Sequence, residues 1–439
     1  MAVATTEERP WLGQWNSAVT SYYTLVGTTS LLLVLGLVMV LSSSAVTSIA
    51  GGASPYAAFF NQAKFAIMGL PVMLIATRIP VRWYKRVAWP ALLVVLALLV
   101  AVMFVGIEVK GNRNWLGHGS LRFQPSEVAK VGLSLWLGAV LGRKQRLLGK
   151  WSQVIVPAVP GVFLVLALVL AGHDLGTALI LIALALGAFW VSGAPARLLG
   201  LGAGLAAAIV GYVFIYAQTG SDRLNRILAT YGPCTDTQGE CYQSLHGLYA
   251  LGSGGVLGLG LGASREKWRY LPEAHNDFIY AVIGEELGLL GTLTVLGLFV
   301  ALGIAMSRVV RRHPDPFVKV ATAAVACWVV GQAFVNIGVV IGVLPVIGVP
   351  LPLVSAGGSA LVTTMAALGM VISFARDEPG AAEALAARGS VVRRSLAVIG
   401  VQRPGGLSDR AGRAGWRGRL GERRRSRGRQ NRARGGRGR

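Results

Sequence analysis

Residues 272–306 read PEAHNDFIYAVIGEELGLLGTLTVLGLFVALGIAM. From Phe278 onward the stretch is apolar for longer than the roughly 20 residues a helix needs to cross a bilayer. Yet Glu273, His275 and Asp277 gather at its mouth, and Glu285 and Glu286 lie side by side within it. Ionisable groups are costly inside a membrane, so those that persist face a protein interior or an aqueous cavity, or anchor the span at the interface. The segment therefore predicts a membrane-spanning helix whose opening is a candidate site.

The rest of the chain extends that reading. With 54% hydrophobic residues and 58 glycines among 439 positions, the composition is that of a polytopic membrane protein rather than a soluble domain with one core. The first twenty residues carry Glu7 and Glu8 and lack a basic start, a short apolar core and a small-residue cleavage site, so the first span is expected to stay in the membrane. Ten apolar windows are long enough to span or nearly so: about 24–43, 58–77, 87–106, 126–142, 154–171, 175–193, 198–217, 278–306, 317–341 and 358–375. The expected fold is all-α, a polytopic membrane protein of about ten transmembrane helices over residues 21–376, preceded by a short segment 1–20. The short basic loops RIPVRWYKR (78–86), RKQRLLGK (143–150) and RVVRRH (308–313) all fall on one side when ten spans are counted. The positive-inside rule makes that side the cytoplasm and puts both termini there, leaving a large outward loop at about 218–277.

Residues 377–439 carry +12 of the chain's +23, with almost no apolar content at their end, and are expected to be a disordered cytoplasmic tail. Attraction to anionic lipid heads is its plainest role, ahead of a protein partner, and no nucleic-acid partner is expected. Of the three cysteines, Cys327 falls within a span and reads as a small buried residue. Cys234 and Cys241, in GPCTDTQGECYQ, lie in the outward loop, where oxidising conditions predict a disulfide; two free thiols are the alternative.

Four outward segments carry polar groups that the positive-inside rule does not require. The loop GIEVKGNRNWLGHGSLRFQPSE (106–127) includes Arg113 and ends at Glu127, and Glu127 and Lys130 are spaced to pair on one helix face, either at a cavity rim or as a plain interfacial ion pair. In AGHDLGTAL, Asp174 lies between two apolar runs, where it caps the following helix with Thr177 nearby or serves a site. The third segment is SREKWRY with the opening stretch, and the fourth is GVLPVIGVPLPLVSAGGSA, too broken by Pro and Gly to span. Irregular backbone at membrane depth survives only where it is buried in protein or lines a cavity. Together these describe an outward cleft whose cations suit a phosphorylated group and whose Asp277 carboxylate can take a proton or hold a divalent cation. A lipid-linked pyrophosphate with a polar head fits both features.

Competing motifs are weak. GSGGVLGLGLG (252–262) follows no strand, so it reads as close packing or a re-entrant turn rather than a dinucleotide loop. Gly200 and Gly204 form a small-xxx-small pair that predicts a helix contact. No HExxH or GxSxG occurs.

The stretches GLVMVLSSSAV (36–46), NRNWLGHGSLRFQPSEVAKVGL (112–133), HDLGTALI (173–180), WRYLPEAHNDFIYAVIGEELGLLG (268–291) and GQAFVNIGVVIGVLPVIGVPLPLVSAGGSA (331–360) follow one another in the order expected for the SEDS family of peptidoglycan glycosyltransferases. The chain resembles that family over roughly residues 20–376. It resembles the division member more than the elongation member, and the basic tail is similar to actinobacterial versions. His173 stands where the family usually has proline, Ala356 and Ala360 replace a usual Tyr and Ser, and Ile347 stands where Thr or Lys is frequent.

The resemblance implies polymerisation of lipid II, the undecaprenyl-pyrophosphate-linked disaccharide pentapeptide, on the outer face of the cytoplasmic membrane during septal wall synthesis. It implies Asp277 as the essential aspartate, acting as general base or as ligand to an assisting cation. Arg113, Glu127, Lys130 and Asp174 match other polar residues of the family's cavity, with His275 and Glu273 supporting them. The partner it implies is a class B penicillin-binding protein on a separate chain, among other division proteins. An elongation-type polymerase, a lipid II flippase and a non-catalytic division scaffold are the rival readings. Since successive helix positions diverge by about 100°, Glu285 and Glu286 do not both face one cleft, and at least one is expected to pair structurally.

Overall fold

The computed structural model describes residues 19–385, apart from 51, 110–111, 119–120, 145–155, 216–230, 232–240 and 269. The helices are α1 Thr20–Ala50, α2 Ala57–Ala76, α3 Val81–Val105, α4 Pro125–Lys144, α5 Ala158–Ala171, α6 Leu175–Ser192, α7 Ala196–Ile215, α8 Tyr242–Gly254, α9 Ile279–Arg312, α10 Pro316–Val340 and α11 Gly358–Arg376. Every one of the ten apolar windows is a helix, and α8 is an additional short one within the loop expected at 218–277.

Seven of these helices, α1, α2, α3, α6, α9, α10 and α11, are each long and apolar enough to cross a membrane. Of the other three helices that match apolar windows, α4 is diluted by Glu127, Lys130, Arg143 and Lys144, while α5 has only fourteen residues. The helix α7, Ala196–Ile215, is apolar apart from Arg197. Large apolar side chains such as Leu31, Phe60, Ile67, Leu93, Phe104 and Leu205 are exposed on the outside, as lipid-facing surfaces require.

Local chemistry sets the helix ends. Pro125 opens α4, Glu127 lies in its first turn and Arg143 and Lys144 in its last, each complementing the helix dipole. Asp174 caps α6, which closes on Gly193 in the left-handed region (φ 86°). Asp315 caps α10, whose first residue is Pro316. Packing places α10 against α4, α6 and α9, α2 against α11, α3 against α4, and α1 against α9. Nearly the whole length of α4 between Pro125 and Leu141 is buried, which is why Glu127 and Lys130 sit inside the protein.

Three features depart from the sequence reading. The loop between α3 and α4 forms a three-stranded antiparallel sheet, β1 Ile107–Val109, β2 Asn112–His118 and β3 Leu121–Phe123, in the order β1-β2-β3. The tail does not begin at 377, because Glu378 and Ala381 are buried; its remainder, 386–439, lies outside the described residues. A Cβ added to Gly200 or Gly204 meets nothing within 4 Å, so the helix contact expected there is absent among the described residues.

The glycine-rich stretch 252–262 is a packing element. Within α9, Gly288 leaves helical geometry (φ 68°, ψ −164°), which frees backbone groups on both sides of the break. Leu259 and Gly260 N–H donate to the Glu285 and Glu286 carbonyls (2.9 and 3.0 Å), and Leu289 and Leu290 N–H donate to those of Gly255 and Val256 (2.9 and 3.3 Å). The loop thus repairs the broken helix, satisfying polar backbone that would otherwise be costly at membrane depth.

Candidate active site

The N-terminal ends of α2, α4, α6 and α11, the turn 275–277 before α9 and Gln332 of α10, together with β2, β3 and residues 348–357, line a cavity of about 660 Å³. It brings together Glu127, Lys130, Asp174, His275 and Asp277, five of the seven residues anticipated from sequence. Arg122, Gln124, Asn276 and Gln332 also line it and were not singled out by the sequence reading.

Glu127 and Lys130 form the expected pair. Lys130 Nζ donates to Glu127 Oε1 at 2.8 Å and to Gln332 Oε1 at 3.2 Å, and lies 5.0 Å from the centre of the Trp328 ring. Both are almost wholly buried, so the pair is unscreened and each charge depends on the other. Glu127 Oε2 has no hydrogen-bond partner.

Asp174 caps α6 and also lines the cavity. Its Oδ1 accepts the Thr177 N–H (3.0 Å) and caps α6, while its Oδ2 accepts Gln124 Nε2 (2.7 Å) and Ser126 Oγ (3.1 Å) within the cavity wall. The cap ties the start of α6 to the β3–α4 junction.

Asp277 is held by its backbone. Asn336 Nδ2 donates to the carbonyls of Asp277 (2.7 Å) and Val349 (2.8 Å), linking the turn before α9 to the Pro- and Gly-rich segment. Gln332 Nε2 donates to the Pro350 carbonyl (2.8 Å), and Ser355 Oγ donates to that of Asn276 (2.6 Å). The Ala356 N–H reaches the His275 carbonyl (2.9 Å), and Gln62 spans the Ser355 carbonyl and the Gly357 N–H. At Gly348 (φ 77°), an added Cβ would sit only 3.6 Å from Asp277 Oδ2, so the backbone approaches the carboxylate closely. Buried amides fix this irregular backbone, which the sequence predicted would line a cavity.

Arg113 and Glu273 lie off the cavity lining. Arg113, on β2, is exposed and reaches toward the Met103 carbonyl (3.5 Å). Glu273, at positive φ (54°), accepts Asn276 Nδ2 at 2.5 Å and thereby shapes the turn that carries Asp277. Arg122 stands in the cavity as an exposed cation with no ion-pair partner among the described residues. Its signal in the sequence was an arginine two residues before Gln124-Pro125, visible only once the short sheet is recognised.

Glu285 and Glu286 both pair structurally, outside the cavity. Glu285 accepts Ser264 Oγ (2.5 Å) and the Arg265 N–H (2.7 Å), and Glu286 accepts Lys267 Nζ (2.9 Å) and Ser42 Oγ. The loop spells Ser264-Arg265-Glu266-Lys267, so the Ser-x-x-Lys spacing of acylating transpeptidases is present in the outward loop 218–277, contrary to the sequence reading that it is lacking there. Here Ser264 and Lys267 are buried against those two glutamates, which leaves neither of them poised as a nucleophile or base.

Among the described residues, no group of three or more His, Cys, Asp or Glu side chains is arranged to hold a metal ion. The Cys234–Cys241 pairing involves Cys234, outside the described residues; Cys241 is disulfide-bonded and Cys327 is a free thiol.

Residues 23–379 match the FTSW_RODA_SPOVE family model, described as cell cycle protein. The chain is 39% identical over 389 residues to the probable peptidoglycan glycosyltransferase FtsW of Mycobacterium tuberculosis, covering 88% of this chain and 73% of that one. It matches with a TM-score of 0.66 and 28% identity a solved chain described under structural coordination of polymerization and crosslinking by a peptidoglycan synthase complex, covering 81% of this chain and 97% of that one. The crystal structure of Thermus thermophilus rod shape determining protein RodA matches with a TM-score of 0.60 and 27% identity over the same shares.

Proposed function

This chain belongs to the FtsW, RodA and SpoVE family of cell cycle proteins, and from that membership we propose that it is a peptidoglycan glycosyltransferase. It polymerises lipid II into glycan strands at the outer face of the cytoplasmic membrane, in septal wall synthesis. The observation that carries the proposal is the single cavity joining Asp277 to the Glu127–Lys130 pair, Asp174, His275 and Arg122.

The transfer forms a bond between an acceptor sugar hydroxyl and the donor's anomeric carbon and breaks the bond to undecaprenyl pyrophosphate. Asp277 takes the hydroxyl proton as the new bond forms. Lys130 and Arg122 face the negative charge that grows on the departing diphosphate, with Glu127 and Gln332 holding Lys130 in place. Asp174 and the amide scaffold of Asn336, Gln332 and Gln62 fix the cavity walls, so that donor and acceptor meet in one geometry.

A flippase would need polar groups along a route through the membrane. Beyond Lys130 the buried stretch of α4 holds one hydroxyl, Ser134, spent on the Lys130 carbonyl (2.7 Å), and otherwise residues such as Leu133, Leu137 and Leu141, which favours chemistry at one end of the bundle over passage through it. The partner is a class B penicillin-binding protein that crosslinks the new strands.

The direct test incubates purified protein with lipid II, with and without the cognate transpeptidase, and separates the products by gel. Glycan strands support the proposal. Movement of lipid II across vesicles without strand formation would replace it with the flippase reading.

A further inference from the structure

An open cavity of about 680 Å³ lies where the end of α2 meets the first turns of α3, remote in sequence from the catalytic residues. Leu74, Ile75, Trp83 and Val87 wall it with exposed apolar surface, and Arg78 is part of its lining. The turn beneath it is rigid: Tyr84 Oη donates to the Ala76 carbonyl (2.7 Å), Ser373 Oγ to that of Ile79 (2.6 Å) and Arg376 Nη1 to that of Thr77 (2.5 Å).

The cations around this turn divide by face. Helical spacing puts Val81, Tyr84, Lys85 and Ala88 on one side of α3 and Arg82, Trp83, Arg86 and Val87 on the other. On the inner side Lys85 pairs with Asp315. On the outer side Arg78, Arg82 and Arg86 are exposed and have no ion-pair partner among the described residues, and the Arg86 guanidinium lies 5.2 Å from the centre of the Trp83 ring. The arrangement thus sets Arg78 in the lining of an apolar groove, Arg86 over the Trp83 ring that forms one wall, and Arg82 exposed on the same side of α3, and the walls belong to two membrane-spanning helices. A ligand complementary to it has an anionic head and an apolar chain, and guanidinium groups bind phosphate in a fixed planar geometry.

We propose that this groove is a binding site for an anionic phospholipid, with the phosphate at Arg78 and Arg86, Arg82 adding positive charge from the same side of α3, and an acyl chain along Leu74, Ile75 and Val87. Basic pockets between membrane helices bind lipid phosphates in this way.

The test uses the full chain in neutral detergent and measures binding of dihexanoyl phosphatidylglycerol, dihexanoyl phosphatidylcholine and glycerol 1-phosphate by native mass spectrometry. The phosphatidylglycerol should bind about tenfold or more tighter than either of the others. The preference should vanish in Arg78→Gln/Arg82→Gln/Arg86→Gln and survive in a charge-matched control, Arg143→Gln/Lys144→Gln/Arg311→Gln. Trp83→Ala, which leaves all three arginines, should weaken the lipid severalfold. Equal binding of the two lipids overturns the site, as does glycerol 1-phosphate binding as tightly as the lipid. An equal loss in the control, or unchanged binding in either groove variant, overturns it too.

Discussion

Lys130 Nζ lies 2.8 Å from Glu127 Oε1 in a place where both side chains are almost completely withdrawn from solvent, while Oε2 of the same carboxylate has no hydrogen-bond partner. Each charge is therefore tolerated only because the other is present. Lys130→Met should destabilise the protein by about 3–5 kcal/mol, because it strands a buried carboxylate. Glu127→Gln with Lys130→Met should recover much of that loss, since no charge is left unpaired. Thermal unfolding of the single and double variants in detergent measures the coupling, and simple additivity would contradict it.

Asn336 is predicted to act through Asp277 without touching substrate. Asn336→Ala leaves the carbonyls of Asp277 and Val349 without their shared donor, at a cost of about 1–3 kcal/mol in stability. It should lower the maximal rate on the order of tenfold to a hundredfold, because small displacements of a catalytic group are expensive. The lipid II concentration giving half-maximal rate should change little. A variant that loses stability but keeps its full maximal rate would make Asn336 a structural residue only.

Gly258 and Gly200 should respond oppositely to alanine. Gly258 sits at φ 79°, and an added Cβ would lie 2.2 Å from the Glu286 carbonyl oxygen, so Gly258→Ala must push the loop off the break in α9. The backbone conformation alone costs roughly 1–2 kcal/mol. At Gly200 a Cβ meets open space inside a helix, where alanine is favoured by about 1 kcal/mol. Melting temperatures of the two variants decide the matter, and equal effects would contradict the packing role of residues 252–262.

The spans were legible because hydropathy over about 20 residues is a long signal that survives local irregularity. The Glu127–Lys130 pair was legible because its partners are three residues apart on one helix. The amide scaffold was not, since Gln62 reaches Ser355 and Asn336 reaches Asp277 across large gaps in the chain. The short sheet was hidden for a different reason: β1 and β3 have three residues each, too few for a period-two pattern. Glu285 and Glu286 lie outside the cavity, and their partners, residues 264–267 and Ser42, are distant from them in sequence, so only the fold reveals that both are structural. The start of the tail was misplaced because Glu378 and Ala381, unremarkable in sequence, fold back into buried positions.

Burial holds the His313 imidazole below its ordinary value of 6.5, against the opposing pull of Asp377 and Asp315. Its Nδ1 accepts the Asp315 N–H (3.1 Å), a bond that protonation there would break. Because the folded value lies below the unfolded one, this contribution to stability is complete above about pH 6.5 and is lost as pH falls from there through the lower folded value. His313→Gln should flatten that part of the profile. Melting of both proteins between about pH 8 and pH 5 tests it, and parallel curves would remove His313 from the account.

The central claim is that the Asp277 carboxylate accepts the proton of the attacking hydroxyl. Asp277→Asn keeps the side chain's size and removes its basicity, while the Asn336 bond to the residue's backbone carbonyl is untouched. The decisive measurement is the rate of glycan formation from purified lipid II by this variant and by the unaltered protein, with melting temperatures taken on the same preparations. The account predicts a folded variant whose polymerisation falls on the order of a hundredfold or more. A folded Asp277→Asn protein that makes strands at the normal rate would contradict it.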